Sequence, residues 1–190
     1  EKTHALSGHW LMTSYNKRMD TANGIPEEYA VCFLNRMQVP LRTPVPHRML
    51  IGKKLTRGLG ACSEPSTGEG AAEEARTELL QACQDADIVF LTGGLGGGTG
   101  TGSLPVIARL AKERGALTIA IVTLPFSNEG ARRSKNARLG LDKLRKSADT
   151  VIVIPNDKLL QEEIMNLPLN TAFRQADEIL GNAIKCMTEI

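Results

Sequence analysis

Gly93-Gly94-Leu95-Gly96-Gly97-Gly98-Thr99-Gly100-Thr101-Gly102 is the stretch on which the reading of this chain turns. Before it stands the apolar run Ile88-Val89-Phe90-Leu91, with the composition of a buried strand; after it, residues 104–112 have that of a helix. A glycine-rich turn between a strand and a helix N-terminus is a phosphate-binding arrangement. Bare backbone N–H groups can approach an anion closely, and the helix dipole adds positive potential. Spelling separates the types of phosphate loop. A Walker loop needs Lys and then Ser or Thr after its last glycine, whereas Gly102 is followed by Ser103-Leu104. A dinucleotide fingerprint needs GxGxxG, and counting from Gly94 puts Thr99 in the sixth place. Residues 96–102 read GGGTGTG, which is neither.

Outward from this run, strands alternate with helices. Residues 49–51 read as a short strand and 70–84 as a helix rich in Ala, Glu, Leu and Arg. Residues 87–92 form the strand before the glycine run, and the helix after it reaches Arg114 and is stopped by Gly115. Residues 117–124 are continuously apolar, as a strand covered on both faces requires. A basic helix spans 129–147, a strand 150–154 ends at Pro155, a short helix lies near 158–163, and Asn170 opens a long final helix. In that last segment Ala172, Ala176, Ile179, Ala183 and Met187 recur at helical spacing. Toward the N-terminus, residues 29–31 read as a strand, and Pro40, Pro44 and Pro46 mark an irregular connector. The pattern predicts an α/β fold, a three-layer and mostly parallel Rossmann-like sheet with helices on both faces. Ligands of such sheets bind at the carboxyl ends of the strands. Three strand ends carry distinctive sequences here: the glycine run, Pro125-Phe126-Ser127-Asn128-Glu129-Gly130, and Pro155-Asn156-Asp157-Lys158. Their convergence on one edge predicts a nucleotide site.

Composition sets the outer bounds. The 190 residues suffice for one domain, with 42% apolar and 23% charged residues and a net charge of +2. The charge balance offers no argument for nucleic acid, and the basic run on 129–147 reads as a solvated helix face. Cys32, Cys62, Cys83 and Cys186 form no CxxC pair, and His4, His9 and His47 complete no ligand spacing with them, so no metal centre is expected. No apolar run reaches membrane-spanning length and no signal peptide is indicated, which predicts a cytoplasmic protein without direct membrane insertion.

From about residue 51 to 190 the chain resembles the FtsZ family, the bacterial and archaeal tubulin-like cell-division GTPases. The resemblance is carried by Gly52-Lys53-Lys54-Leu55-Thr56-Arg57-Gly58-Leu59-Gly60-Ala61, by Gly96 to Gly102, by Thr123-Leu124-Pro125-Phe126 with Glu129-Gly130, by Ile154-Pro155-Asn156-Asp157-Lys158-Leu159-Leu160, and by Ala172-Phe173 through Asp177. It implies a GTP-binding domain over 1–190, with 1–47 divergent, that binds GTP or GDP with Mg2+. Gly98, Thr99 and Gly100, with Gly96, Gly97 and Thr101, match the loop that wraps the phosphates; Gly60 and Ala61 match the loop that senses the terminal phosphate. Cys62 stands there in place of a usual glycine and is expected to stiffen that loop. Pro125 belongs to a matching strand end, Glu129 matches the sugar-proximal contact and Arg133 the phosphate-side contact, a guanidinium being suited to phosphate. Asn156, Phe173 and Asp177 match the base pocket. Phe173 and Asp177 are four apart, hence on one helix face. Phe can stack on a purine, and Asp can accept from the ring N–H and exocyclic amine of guanine.

The chain departs from the family pattern in three places. The first glycine loop is expected at about 9–14, where His9-Trp10-Leu11-Met12-Thr13-Ser14 puts bulky side chains in place of glycines before Asn16-Lys17-Arg18-Met19. Cys32-Phe33-Leu34 follows the second strand where Asn-Thr-Asp is usual. The acidic loop that hydrolysis needs, inserted by one subunit into the next, lies in the family beyond the helix at which this sequence stops, as does the activation domain. No catalytic residue is therefore assigned in this chain. The resemblance implies head-to-tail self-association into filaments, membrane-anchoring partners at the division site, and GTP hydrolysis at the subunit junction. A non-catalytic, nucleotide-binding-impaired regulator or filament cap is the alternative, and a Rossmann dehydrogenase is disfavoured by the failed fingerprint.

Overall fold

In the computed structural model, residues 8–12, 30–34 and 47–159 are described. They contain a six-stranded, all-parallel sheet. Its strands are β1 (Gly8–Met12), β2 (Ala30–Leu34), β3 (His47–Leu50), β4 (Ile88–Gly94), β5 (Leu117–Leu124) and β6 (Thr150–Pro155), and their order is β3-β2-β1-β4-β5-β6. The order reverses between β1 and β4, so the loop after β4 leaves the sheet beside the switch point at which α/β sheets take their ligands. The α/β parallel architecture is the expected one.

The helices are α1 (Pro65–Glu74), α2 (Arg76–Ala82), α3 (Thr99–Glu113) and α4 (Ala131–Ser147), with short 3-10 turns at Ser127–Glu129 and Asn156–Leu159. Helix α3 packs on β4 and β5 and against both α1 and α4. Leu79, Leu91, Leu104, Ile107, Leu110, Ile121 and Leu144 are fully buried. Helix α1 starts on Pro65, whose fixed φ and missing N–H suit the first helical position. Helix α3 ends in a Schellman motif. The Gly115 N–H bonds the Lys112 carbonyl at 2.9 Å and the Ala116 N–H bonds that of Ala111 at 3.2 Å, with Gly115 at φ +85°.

Several boundaries differ from expectation. The helix expected over 70–84 is two helices that start earlier, broken at Ala75, where the N–H bonds the Ala72 carbonyl at 3.1 Å in a tightened turn. Neither glycine nor proline marks that break. Strand β4 takes in the first two glycines of the run, and α3 begins at Thr99, inside the glycine run rather than after it. The helix expected from 129 begins at Ala131, after the Ser127–Glu129 turn. The short helix expected near 158–163 shows in the described residues as a 3-10 turn at Asn156–Leu159. The strands expected at 29–31 and 49–51 are Ala30–Leu34 and His47–Leu50.

A larger correction concerns the first loop. Residues 9–12, assigned from the sequence to a glycine-loop position, lie in β1, paired with β2 from Trp10 to Met12 and with β4 from Gly8 to Met12. These positions belong to a strand and not to a phosphate loop. Thr13 and Ser14 lie outside the described residues, as do the final helix, Phe173 and Asp177.

Candidate functional site

The carboxyl ends of β4, β5 and β6 are stitched together. The Leu95 N–H bonds the Thr123 carbonyl at 2.9 Å, and the Ser127 N–H bonds Asp157 Oδ1 at 2.8 Å, tying the turn after β5 to the turn after β6. Gly96 packs on Pro125 and on the Arg133 backbone. The three distinctive strand ends thus converge, as expected.

Within the glycine run, Gly96, Gly98 and Gly102 have separate structural reasons to be glycine. Gly96 is at φ +110°, a backbone that L side chains rarely adopt. Its N–H bonds the buried Thr101 hydroxyl at 2.8 Å, which turns the chain into α3. A β-carbon on Gly98 would stand 2.7 Å from Ala61 Cβ and 2.8 Å from both the Ala61 carbonyl oxygen and the Glu64 nitrogen. One on Gly102 would lie 2.0 Å from the Pro65 carbonyl oxygen, and one on Gly68 would lie 2.2 Å from that of Gly98. These glycines let α1 and the turn before it press against the start of α3. Gly97 is different. It is half-buried, and a β-carbon there would have nothing within 4 Å.

Helix α3 is 15 residues long, and its N-cap, Gly98, provides no side-chain cap. The N-cap residue therefore offers no side-chain acceptor to the first turn, at the positive end of the dipole. Thr99 is half-buried at this mouth, while Gly100 and Thr101 are buried beneath it.

The turn at residues 60–63 forms the neighbouring wall. Ala61 is 3% exposed and its carbonyl accepts the Glu64 N–H at 2.7 Å. Cys62 (φ +45°) and Ser63 (φ +59°) both sit in the left-handed region, which explains in backbone terms why glycine would be at ease at 62. From α4, Asn136 donates one Nδ2 hydrogen to the Ser63 carbonyl at 3.0 Å and another to that of Gly96 at 3.3 Å, joining this turn to the glycine run.

Glu129 and Arg133 are brought together at the same edge. Glu129 Oε1 accepts the Phe126 N–H at 2.8 Å, and Oε2 forms an ion pair with Arg133 one helical turn on. In this state the Glu129 carboxylate caps its own turn, and Arg133 would have to leave it to reach a phosphate. Asn156, after β6, keeps its Oδ1 buried with no hydrogen-bond partner among the described residues. Sequence reading assigned no role to Asn136 or Asp157: an asparagine in a basic helix and an aspartate in a turn carry no spacing signal. Among the described residues no group of three His, Cys, Asp or Glu stands close enough to hold a metal ion, and no helix is long and apolar enough to cross a membrane.

The model of the tubulin/FtsZ family GTPase domain matches residues 32–163. The chain belongs to that family. It is 59% identical over 143 residues to the cell division protein FtsZ 1 of Thermococcus kodakarensis, covering 75% of this chain and 38% of that one. Against FtsZ 1 of Methanocaldococcus jannaschii it is 52% identical over 167 residues, covering 88% and 46%. Its fold is similar to that of an empty FtsZ dimer from M. jannaschii, with a TM-score of 0.88 and 46% identity, covering 98% of this chain and 56% of that one. The chain thus spans less than half the length of these two curated FtsZ relatives. Within the family, the glycine run, the turn at 60–63 and the Pro125–Arg133 edge are parts of one GTPase domain.

Proposed function

We propose that this chain is the guanine-nucleotide-binding domain of an FtsZ-type filament GTPase. The observation that carries the reading is Gly97: a half-buried glycine with open space over it, at the uncapped N-terminus of α3, where three strand ends meet. In this reading the phosphates lie on Gly96 to Thr101, with Gly60 and Ala61 beside the terminal phosphate. Pro125 and Glu129 border the sugar, and Arg133 turns from Glu129 toward the phosphates. Asn156, Phe173 and Asp177 hold the base, with Asp177 accepting from guanine's N–H groups, which adenine cannot match. Mg2+ would accompany the triphosphate and neutralise phosphate charge beside the Gly96–Thr101 amides. The in-line attack of water on the terminal phosphoryl group needs oriented polar groups, and these come from the acidic loop of the next subunit. The full-length protein assembles head to tail in the cytoplasm, an open heterologous association, and is held at the division site by membrane-anchoring proteins.

The test is a titration of the chain with GTPγS, GDP and ATPγS in Mg2+. Guanine nucleotides are expected to bind in the micromolar range, at least about tenfold more tightly than ATPγS. Asp177→Ala is expected to erase that preference. A folded chain that binds no guanine nucleotide would overturn the reading in favour of a regulator or filament cap.

A further inference from the structure

The Gly96–Gly98 and 60–63 walls of the site come from different parts of the chain, and one side chain spans them. Asn136, half-buried on α4, donates to the carbonyls of Ser63 (3.0 Å) and Gly96 (3.3 Å), residues 33 positions apart in sequence. Both partners are carbonyl oxygens, so only the NH2 end of the amide can face them; chemistry fixes its orientation. On each side the gripped residue needs holding. Ser63 follows Cys62 in the left-handed region, and Gly96, at φ +110°, is also gripped through its N–H by Thr101. One turn along α4, Gly140 lies against Thr101, so the helix that carries Asn136 is itself seated on the glycine run.

We infer that Asn136 is a positioning residue that locks the 60–63 turn to the glycine run and thereby sets the chain's preference for a triphosphate over a diphosphate. The inference rests on the nucleotide reading above in its second half only. With the strut in place, the turn beside Ala61 is presented at a fixed distance from the phosphate-binding amides. Without it, the turn relaxes and the wall that only a third phosphate would reach is lost. The contacts to the first two phosphates, made by the glycine run, remain.

The experiment has two arms on the full chain. Residue-resolved amide exchange without nucleotide compares wild type with Asn136→Ala and Asn136→Asp. Alanine is a good helix former, so α4 persists. Aspartate keeps the shape but turns a carboxylate on two carbonyls. The Glu64 amide, bonded to Ala61, is expected to exchange about fivefold faster in Asn136→Ala and faster still in Asn136→Asp, as for the loss of one to two modest hydrogen bonds. Amides of β5 are expected to stay unchanged. In the second arm, GTPγS is expected to bind at least about fivefold more weakly to Asn136→Ala, and GDP to change less than about twofold. Unchanged exchange at Glu64 in both variants overturns the strut. An equal loss of both nucleotides overturns the positioning role and leaves a merely structural one. A wild-type chain that binds neither nucleotide overturns the nucleotide reading, while the exchange arm still decides whether the strut exists.

Discussion

At the scale of single residues, neighbouring glycines of one run are asked for different things, and substitution separates them. Gly97→Ala puts its methyl group into open space, so the fold is expected to be kept. The same methyl stands at the mouth of the proposed phosphate site, and GTPγS affinity is expected to fall at least about tenfold with the thermal midpoint unmoved. Gly98→Ala drives its methyl into the backbone of Ala61 and Glu64, and is expected to destabilise by about 2–3 kcal/mol in a denaturant titration. If both variants behave alike in the two assays, the division of labour is wrong. Cys62 offers a second residue-level test. In the left-handed region a β-carbon costs about 1–2 kcal/mol, and glycine's extra freedom when unfolded returns part of it. Cys62→Gly is therefore expected to raise stability by up to about 1 kcal/mol, read in the same titration. The sequence marked Cys62 as a departure from glycine; only the φ angle says why it matters.

At the scale of elements, the contact between α1, α2 and α3 has a charged rim and an apolar floor. Glu73, Arg109, Glu113 and Arg76 close a ring across the three helices, with Arg109–Glu113 at 2.8 Å, Arg76–Glu113 at 2.6 Å and Arg76–Glu73 at 3.8 Å, while Arg109 also pairs with Glu73. Each side chain is about two-fifths exposed, so solvent screens the ring. A double-mutant cycle on Glu73 and Arg109 is expected to give a coupling of about 0.5 kcal/mol that vanishes in molar salt. On the floor, at the end of α2, burial pushes the Cys83 thiol from 9.0 up to about 11. The folded chain holds this proton more tightly than the unfolded one. The associated stability is complete below pH 9 and is lost as pH rises from about 9 to 11. Wild type is expected to lose roughly 2 kcal/mol more than Cys83→Ala across that window, in denaturant titrations at each pH. Parallel curves would show that the thiol does not couple to folding. Helix and strand identities were legible because β4 and β5 are built on the apolar runs Ile88–Leu91 and Ile119–Val122 and because Gly115 spells its own helix stop. The break at Ala75 was not, since no local residue demands it, and the start of α3 inside the glycines was hidden by the very low helix propensity of the residues that form it.

At the scale of the molecule, the sequence made the convergence of three strand ends readable, because the glycine run, Pro125–Gly130 and Asn156–Lys158 each follow an apolar strand. It misplaced the first loop. Bulky residues at 9–12 looked wrong for a phosphate loop, and they are strand residues instead, a shift of register that no local pattern corrects. The proposal for Phe173 and Asp177 at the base comes from their four-residue spacing and the family resemblance. If filaments complete the active site, turnover depends on association. GTP hydrolysis by the full-length protein is expected to rise more steeply than linearly with protein concentration, whereas nucleotide affinity per subunit stays constant. Strictly linear turnover across a dilution series would mean that one subunit carries the whole reaction.

The interlock of Gly68, Gly98 and Gly102 also bears on how such chains change with time. A descendant that had abandoned nucleotides would still be held by its own architecture to most of the signature, since side chains at 98 and 102 would collide with the turn before α1 and with α1 itself. Position 97, where a β-carbon would meet nothing within 4 Å, would be released to drift. The spelling of a whole motif is then a poorer witness to surviving chemistry than one letter inside it, and in this chain that letter is still glycine.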